Sequence, residues 1–311
     1  SRHRIRTQTQ MSLQLSLLNL LLRWQVKRRF RKNPDVNLLR PLMQQMEARN
    51  ARLPADIKVE DITLGGVLTE KLTAPGTDES RAFFYIHGGG FVAGSPRTHR
   101  PLTSRLARQV GVPVYSVDYR LAPEHRFPAG LDDCVAAYRG LLEKGIAPSS
   151  IIVGGDSAGG NLTLALALRL KAEGVPLPAA LVCLSPATDM TGSGASRHEN
   201  AEADSLFVSE MFDSLKPAYY GDDDDRNPFL SPLFGDVSGF PPVFFQVGET
   251  EMLRDDSTRM AASLKAAGTE TVLEVWPKVW HVWQLNADML PEGREAIDHI
   301  ARFAKQHLRI A

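Results

Sequence analysis

The chain has 311 residues and 43% hydrophobic content, enough apolar material for one α/β domain carrying an elaboration. Its 36 basic and 36 acidic side chains cancel, so nothing in the overall charge points to nucleic acid. The two cysteines, Cys134 and Cys183, lie in apolar runs without metal-ligand spacing; they read as core thiols in a reducing, cytoplasmic compartment.

Residues 1–10 are polar, basic and followed by Met11, so they read as an added leader ahead of a native start. Leu13–Leu22 is apolar and precedes Arg23, Lys27, Arg28, Arg29, Arg31 and Lys32. Charges that follow the apolar run are in the wrong order for a secretory signal, and the run is too short to span a bilayer. We expect a helix packed over the active site of its own domain; a basic helix lying on a membrane surface is the other reading. Residues 38–52 continue with helical spacing until Pro54, so residues 11–55 form an N-terminal cap segment.

From residue 59 the pattern turns to strands. Residues 59–73 read as two strands joined near Gly65-Gly66, 82–86 and 114–117 as buried strands, and 129–143 as a helix stopped at Gly145. Strands follow at 151–153, 181–184, 243–247 and 272–276, with helices at 161–171, 257–267 and 292–308. This alternation predicts an α/β fold with a mostly parallel central sheet covered on both faces. Residues 187–234 break the rhythm, with one helix over 209–219, and read as a cap insertion; residues 56–186 and 235–311 form the core. The acid run 222–225 lacks the spaced ligands of a calcium loop and reads as solvated.

Between the strand 151–153 and the helix 161–171 stands Gly155-Asp156-Ser157-Ala158-Gly159. A sharp strand-to-helix turn strains its middle residue, and flanking glycines give the room. It would present the Ser157 hydroxyl at the sheet's C-terminal edge beside a helix N-terminus. Alone the pentapeptide is a weak signal. A second feature is His87-Gly88-Gly89-Gly90 after the strand 82–86, where consecutive glycines bring backbone N–H donors close to a developing oxyanion. A third is a base: of His198, His281, His299 and His307, only His281 follows a core strand by a short loop. A fourth is an acid between serine and histidine, and residues 249–256 offer four carboxylates, with Glu251 the first choice and Asp255 the second.

His87-Gly88-Gly89-Gly90-Phe91, residues 118–125, Gly155-Asp156-Ser157-Ala158-Gly159-Gly160-Asn161 and residues 251–256 together resemble the hormone-sensitive-lipase family of esterases, in its Gly-Asp-Ser-Ala-Gly branch, from about residue 82 to the C-terminus. The resemblance implies an α/β-hydrolase fold and hydrolysis of small to medium acyl esters without metal or cofactor. It implies Ser157 as nucleophile, His281 as base, and an oxyanion hole of the Gly88, Gly89 and Ala158 N–H groups. The family's acid motif, Asp-Pro-Leu-x-Asp, places its first position on Glu251, with Met252 in place of proline. It also implies a homodimer through the closing helix and last strand. Phe207, Met211, Phe212 and Tyr219 in the insertion would line an acyl pocket or form the core of the cap. An amidase or peptidase on the same scaffold, or a ligand receptor that has lost the chemistry, are the alternatives; such receptors typically lack the histidine, which this chain keeps.

Overall fold

A computed structural model describes residues 12–50 and 52–310, and residues 1–10, read above as a leader, lie outside them. Eight strands form one sheet: β1 (Lys58–Leu64), β2 (Val67–Thr73), β3 (Ala82–Ile86), β4 (Val114–Val117), β5 (Ile151–Asp156), β6 (Ala180–Leu184), β7 (Val243–Gly248) and β8 (Thr271–Trp276), in the order β1-β2-β4-β3-β5-β6-β7-β8. Only β2 is reversed, antiparallel to β1 and β4; every pairing from β4 to β8 is parallel.

The helices are α1 (Leu13–Leu22), α2 (Arg28–Lys32), α3 (Leu39–Arg49), α4 (Arg100–Val110), α5 (Ala129–Glu143), α6 (Ala158–Ala172), α7 (Ser196–Glu199), α8 (Ser209–Leu215), α9 (Arg254–Ala266) and α10 (Pro291–Leu308). The strands divide their side chains between two apolar layers, as period-2 geometry requires. Phe84, Ile86, Ile151, Val153, Leu181, Cys183, Val243 and Phe245 face α5, α6 and α9. Phe83, Tyr85, Ile152, Val182, Leu184 and Phe244 face α4 and α10. The parallel strands are covered on both faces, which is why they read as continuous apolar runs. Both cysteines are buried free thiols whose burial pushes their pKa up, so they act as small apolar side chains.

One helix exceeds the sequence reading. In α4 the apolar stripe Leu102, Leu106 and Val110 alternates with Arg100, Arg105 and Arg108 behind Pro101, which masks it; a capping box at Ser95 and Thr98 and a left-handed Gly111 mark its ends. The helix expected over 209–219 instead stops at Leu215 and widens into a π-type turn, Lys216–Tyr220, around Pro217.

Residues 12–50 and the insertion pack on each other through Phe30, Val208 and Met211. Replacing the fully buried Phe245 with alanine should cost about 3–5 kcal/mol of stability, read from the midpoint of a urea titration at unchanged slope.

Candidate active site

Ser157 stands between the end of β5 and the start of α6 with φ 54° and ψ −117°, a conformation that costs energy unless its surroundings fix it. They do: its N–H donates to Leu184 O at 2.8 Å, and its own carbonyl accepts from Asn161 N and Ala187 N. A methyl group on Gly155 or Gly159 would overlap the Ile86 carbonyl oxygen, so only glycine lets α6 start this close to β3. The serine is half-buried, and its hydroxyl has no hydrogen-bond partner among the described residues.

The sheet register brings the other groups to the same edge. Asp156 pairs with Leu184, Leu184 with Gln246, and Gly248 with Trp276, so the turns after β5, β7 and β8 share one end of the sheet. His281 follows β8 by four residues, between the left-handed Lys278 and Val282. Its Nδ1 lies 2.7 Å from Glu251 Oε2, with both side chains buried. Glu251 Oε1 accepts from Ser185 Oγ at 2.7 Å and from Gly248 N at 2.6 Å. The glutamate thus anchors the ring through Nδ1, and Nε2 is buried and unpartnered among the described residues.

Asp255 is engaged elsewhere, accepting from Ser196 N at 2.9 Å and from Arg254 Nε, and Asp256 accepts from Thr188 N and Asp189 N. Of the other histidines, His198 is exposed, His299 lies 2.7 Å from Glu274 and His307 3.5 Å from Glu270.

The glycine loop departs from expectation at Gly88. Its N–H donates to Asp156 Oδ1 at 3.1 Å. The N–H groups of Gly89 (φ 124°) and Gly90 (φ 62°) have no partner among the described residues. Asp156 also accepts from Tyr85 Oη at 2.6 Å and lies 3.2 Å from His99 Nε2. Burial works to raise its pKa, but His99, Tyr85 and His87 together hold it below the usual carboxylate value. His87 is fully buried, stacked on Tyr119 at 4.3 Å; burial, and then His99, lower its pKa to about 3, so it stays neutral.

Of the four insertion residues, Phe207 lies against His281, ring centroids 4.6 Å apart, with Phe212 behind it at 5.5 Å. Met211 is buried against Phe30 and Val208, and Tyr219 stacks on Phe91 at 3.9 Å; these two pack the structure around the site. Sequence reasoning passed over Ser185 and Gly90. Ser185 follows a core strand directly and has a positive φ of 45°, but nothing in the local pattern names the carboxylate it meets. Among the described residues no group of three or more His, Cys, Asp or Glu side chains is placed to hold a metal ion.

A strained serine beside a helix N-terminus, with an imidazole anchored through Nδ1 by a buried glutamate, is the arrangement of serine hydrolases on parallel sheets. Comparison with known proteins agrees: the sequence profile of the family described as alpha/beta hydrolase fold matches residues 83–285. An acetyl-hydrolase of Streptomyces hygroscopicus is 39% identical, over 79% of this chain and 82% of that protein. An esterase of Acinetobacter venetianus is 37% identical, over 86% and 88%. A solved esterase of the bacterial hormone-sensitive lipase family superimposes with a TM-score of 0.89 at 42% identity, covering 96% of this chain and 99% of that one. A crystal structure of EstE5, soaked with p-nitrophenyl butyrate, gives 0.87 at 35% identity, over 96% and 99%. The chain belongs to the α/β-hydrolase fold family, and its likeness is to the hormone-sensitive-lipase esterases within it.

Ser185→Ala removes one of three hydrogen bonds to Glu251. It should lower kcat about tenfold with KM nearly unchanged, the scale of one hydrogen bond to a charged group; steady-state kinetics measure the split. His87, with a folded pKa near 3 against an ordinary 6.5, lets the unfolded chain bind the proton first. Stability should therefore fall as pH drops through that interval, and the midpoint of chemical denaturation in His87→Gln should be flatter with pH over the same range.

Proposed function

We propose that the chain is a carboxylic ester hydrolase acting on small to medium acyl esters through a serine acyl-enzyme. The observation that carries the reading is the buried Glu251–His281 contact at 2.7 Å, with Nε2 unpartnered among the described residues, at the sheet edge where the Ser157 turn also lies. Ser157 Oγ attacks the ester carbonyl as His281 Nε2 takes its proton. The oxyanion is held by the Ala158 N–H with those of Gly89 and Gly90, the donors that remain unpartnered once Gly88 is committed to Asp156. His281 returns the proton to the leaving alcohol as the C–O bond breaks. Water, deprotonated by the same nitrogen, then releases the acid and restores the serine.

Residues 11–55 and 187–234 act as a cap over residues 56–186 and 235–311, with Phe207 and Phe212 as walls of the acyl side. Short acyl groups suit the names of the relatives, one an acetyl-hydrolase, and the butyrate ester soaked into a solved neighbour. Buried, unpaired Cys134 and Cys183 suit a cytoplasmic setting, and β8, at the edge of the sheet, offers the surface for a homodimer with α10.

A p-nitrophenyl ester series from acetate to palmitate tests the assignment. Ser157→Ala and His281→Ala should each lose at least about 10⁴-fold in kcat, and Glu251→Gln at least about 100-fold, while Asp255→Asn stays active. A folded wild type without esterase activity would move the weight to amide substrates or to ligand binding alone.

A further inference from the structure

The helix α1 has two apolar faces, and only one is used within the chain. Its inner face, Leu15, Leu18 and Leu22, packs on Trp276, Val279, Trp280 and Trp283. Asn19 fastens the same face, donating to Lys278 O at 2.6 Å and accepting from Ser205 Oγ at 2.7 Å. The helix thus clamps the loop that carries His281.

Its outer face is Leu13 (87% exposed), Leu17 (61%), Leu20 (66%), Leu21 (42%) and Trp24 (64%). Leu13, Leu17, Leu20 and Trp24 fall at helical intervals on one stripe. Among the described residues, five of the eight exposed large apolar side chains lie in these twelve, too concentrated for the scattered exposure of an ordinary surface. The stripe continues into cations. Arg23, Lys27 and Arg31 turn inward, to the carbonyls of residues 201–204 and to Glu202. Arg28, Arg29 and Lys32 are exposed and make no ion pair among the described residues. No carboxylate occurs between residues 12 and 34.

Apolar side chains, one exposed tryptophan and then unpaired cations, along a helix too short to cross a bilayer, match the layers of an anionic lipid surface. A second copy of this chain fits less well, since the same face of a partner carries no carboxylate between residues 12 and 34 to meet these cations. We propose that the outer face of α1, with Arg28, Arg29 and Lys32, docks on an anionic phospholipid surface. Docking holds the His281 loop just beneath the lipid and favours esters dissolved in that phase. The substrate part of this inference rests on the ester-hydrolase reading; the docking part does not.

The test uses the full chain and vesicles of phosphatidylcholine with about one-quarter phosphatidylglycerol. The wild type should sediment with them at least about tenfold better than with phosphatidylcholine alone, and less in high salt. Emission of Trp24, the exposed one among the four tryptophans, should shift to the blue. The pairs Leu17→Glu with Trp24→Glu, and Arg28→Glu with Arg29→Glu, should each lose at least about tenfold in binding. Their hydrolysis of p-nitrophenyl butyrate in lipid-free buffer should stay within about twofold of wild type, because no substituted side chain enters the catalytic machinery. Hydrolysis of an ester carried in the vesicles should fall with binding.

A wild type that stays in the supernatant, or glutamate variants that sediment as well as it does, would overturn docking. So would a Leu17→Glu, Trp24→Glu protein that changes only from dimer to monomer in gel filtration, since the face would then join two copies. Failure of the ester reading shows separately, as no hydrolysis in lipid-free buffer whatever the vesicles bind.

Discussion

A single buried carboxylate, that of Asp156, holds the catalytic end of this fold in register. It gathers Tyr85 at the end of β3, Gly88 in the glycine loop and His99 before α4, and it is covalently next to Ser157. A lone carboxylate at this depth would be strongly destabilising, and partners from three segments offset that cost only if all three are in place. The constraint therefore acts both ways: the partners keep the charge, and the charge fixes where the glycine loop stands relative to Ser157. It also explains why the donor expected from Gly88 is spent on structure and the free N–H groups begin one residue later. Neutral His87, stacked on Tyr119, whose hydroxyl donates to the His87 carbonyl at 2.9 Å, closes the loop from the other side.

The segments outside the sheet are tied to the same end by polar contacts that leave little play. The Lys27 ammonium donates to the carbonyls of Ala201 and Asp204 at 2.6 and 2.7 Å. Asp204 in turn accepts from Leu206 N, Phe207 N and Met252 N, the last next to Glu251. Asn200 donates to the carbonyls of Glu249 and Glu251. On the opposite side Arg40 donates to Val92 O at 2.8 Å, and a methyl on Gly90 would press on Val36 and Leu39. The glycine loop and the turn that carries Glu251 thus each rest on residues from the extra segments.

How much of this the sequence discloses follows from the range of each interaction. Strands buried on both faces announce themselves as apolar runs, and their mostly parallel arrangement follows from alternation with helices; the elbow is legible because its glycines are a local steric demand. Glu251 and His281 are legible through chain order and the turns that carry them. Ser185 and the role of Asp156 are not, because each acts on a group brought near only by the sheet, 66 residues away for Ser185 and Glu251 and 71 for Tyr85 and Asp156. For the same reason α1 was ambiguous between packing and surface binding: periodicity reports that a helix has apolar faces, and only the folded chain shows which of them is covered.

The acid itself carries the last step. Family likeness calls for aspartate at position 251, and the glutamate here sits in a turn built to its length. One oxygen is held by Ser185 and Gly248 while the other meets His281, so the carboxylate must span two sets of partners at once. The turn encloses it tightly: a methyl on Gly248 would lie 2.6 Å from Val279 O and 3.0 Å from Glu251 Oε1. A side chain one methylene shorter would have to give up one of those sets unless the backbone moved inward, and the Gly248 carbonyl, which accepts from Glu251 N at 3.2 Å, already limits that movement. Glutamate is therefore the residue that lets one carboxylate be anchored from behind and still orient the imidazole in front.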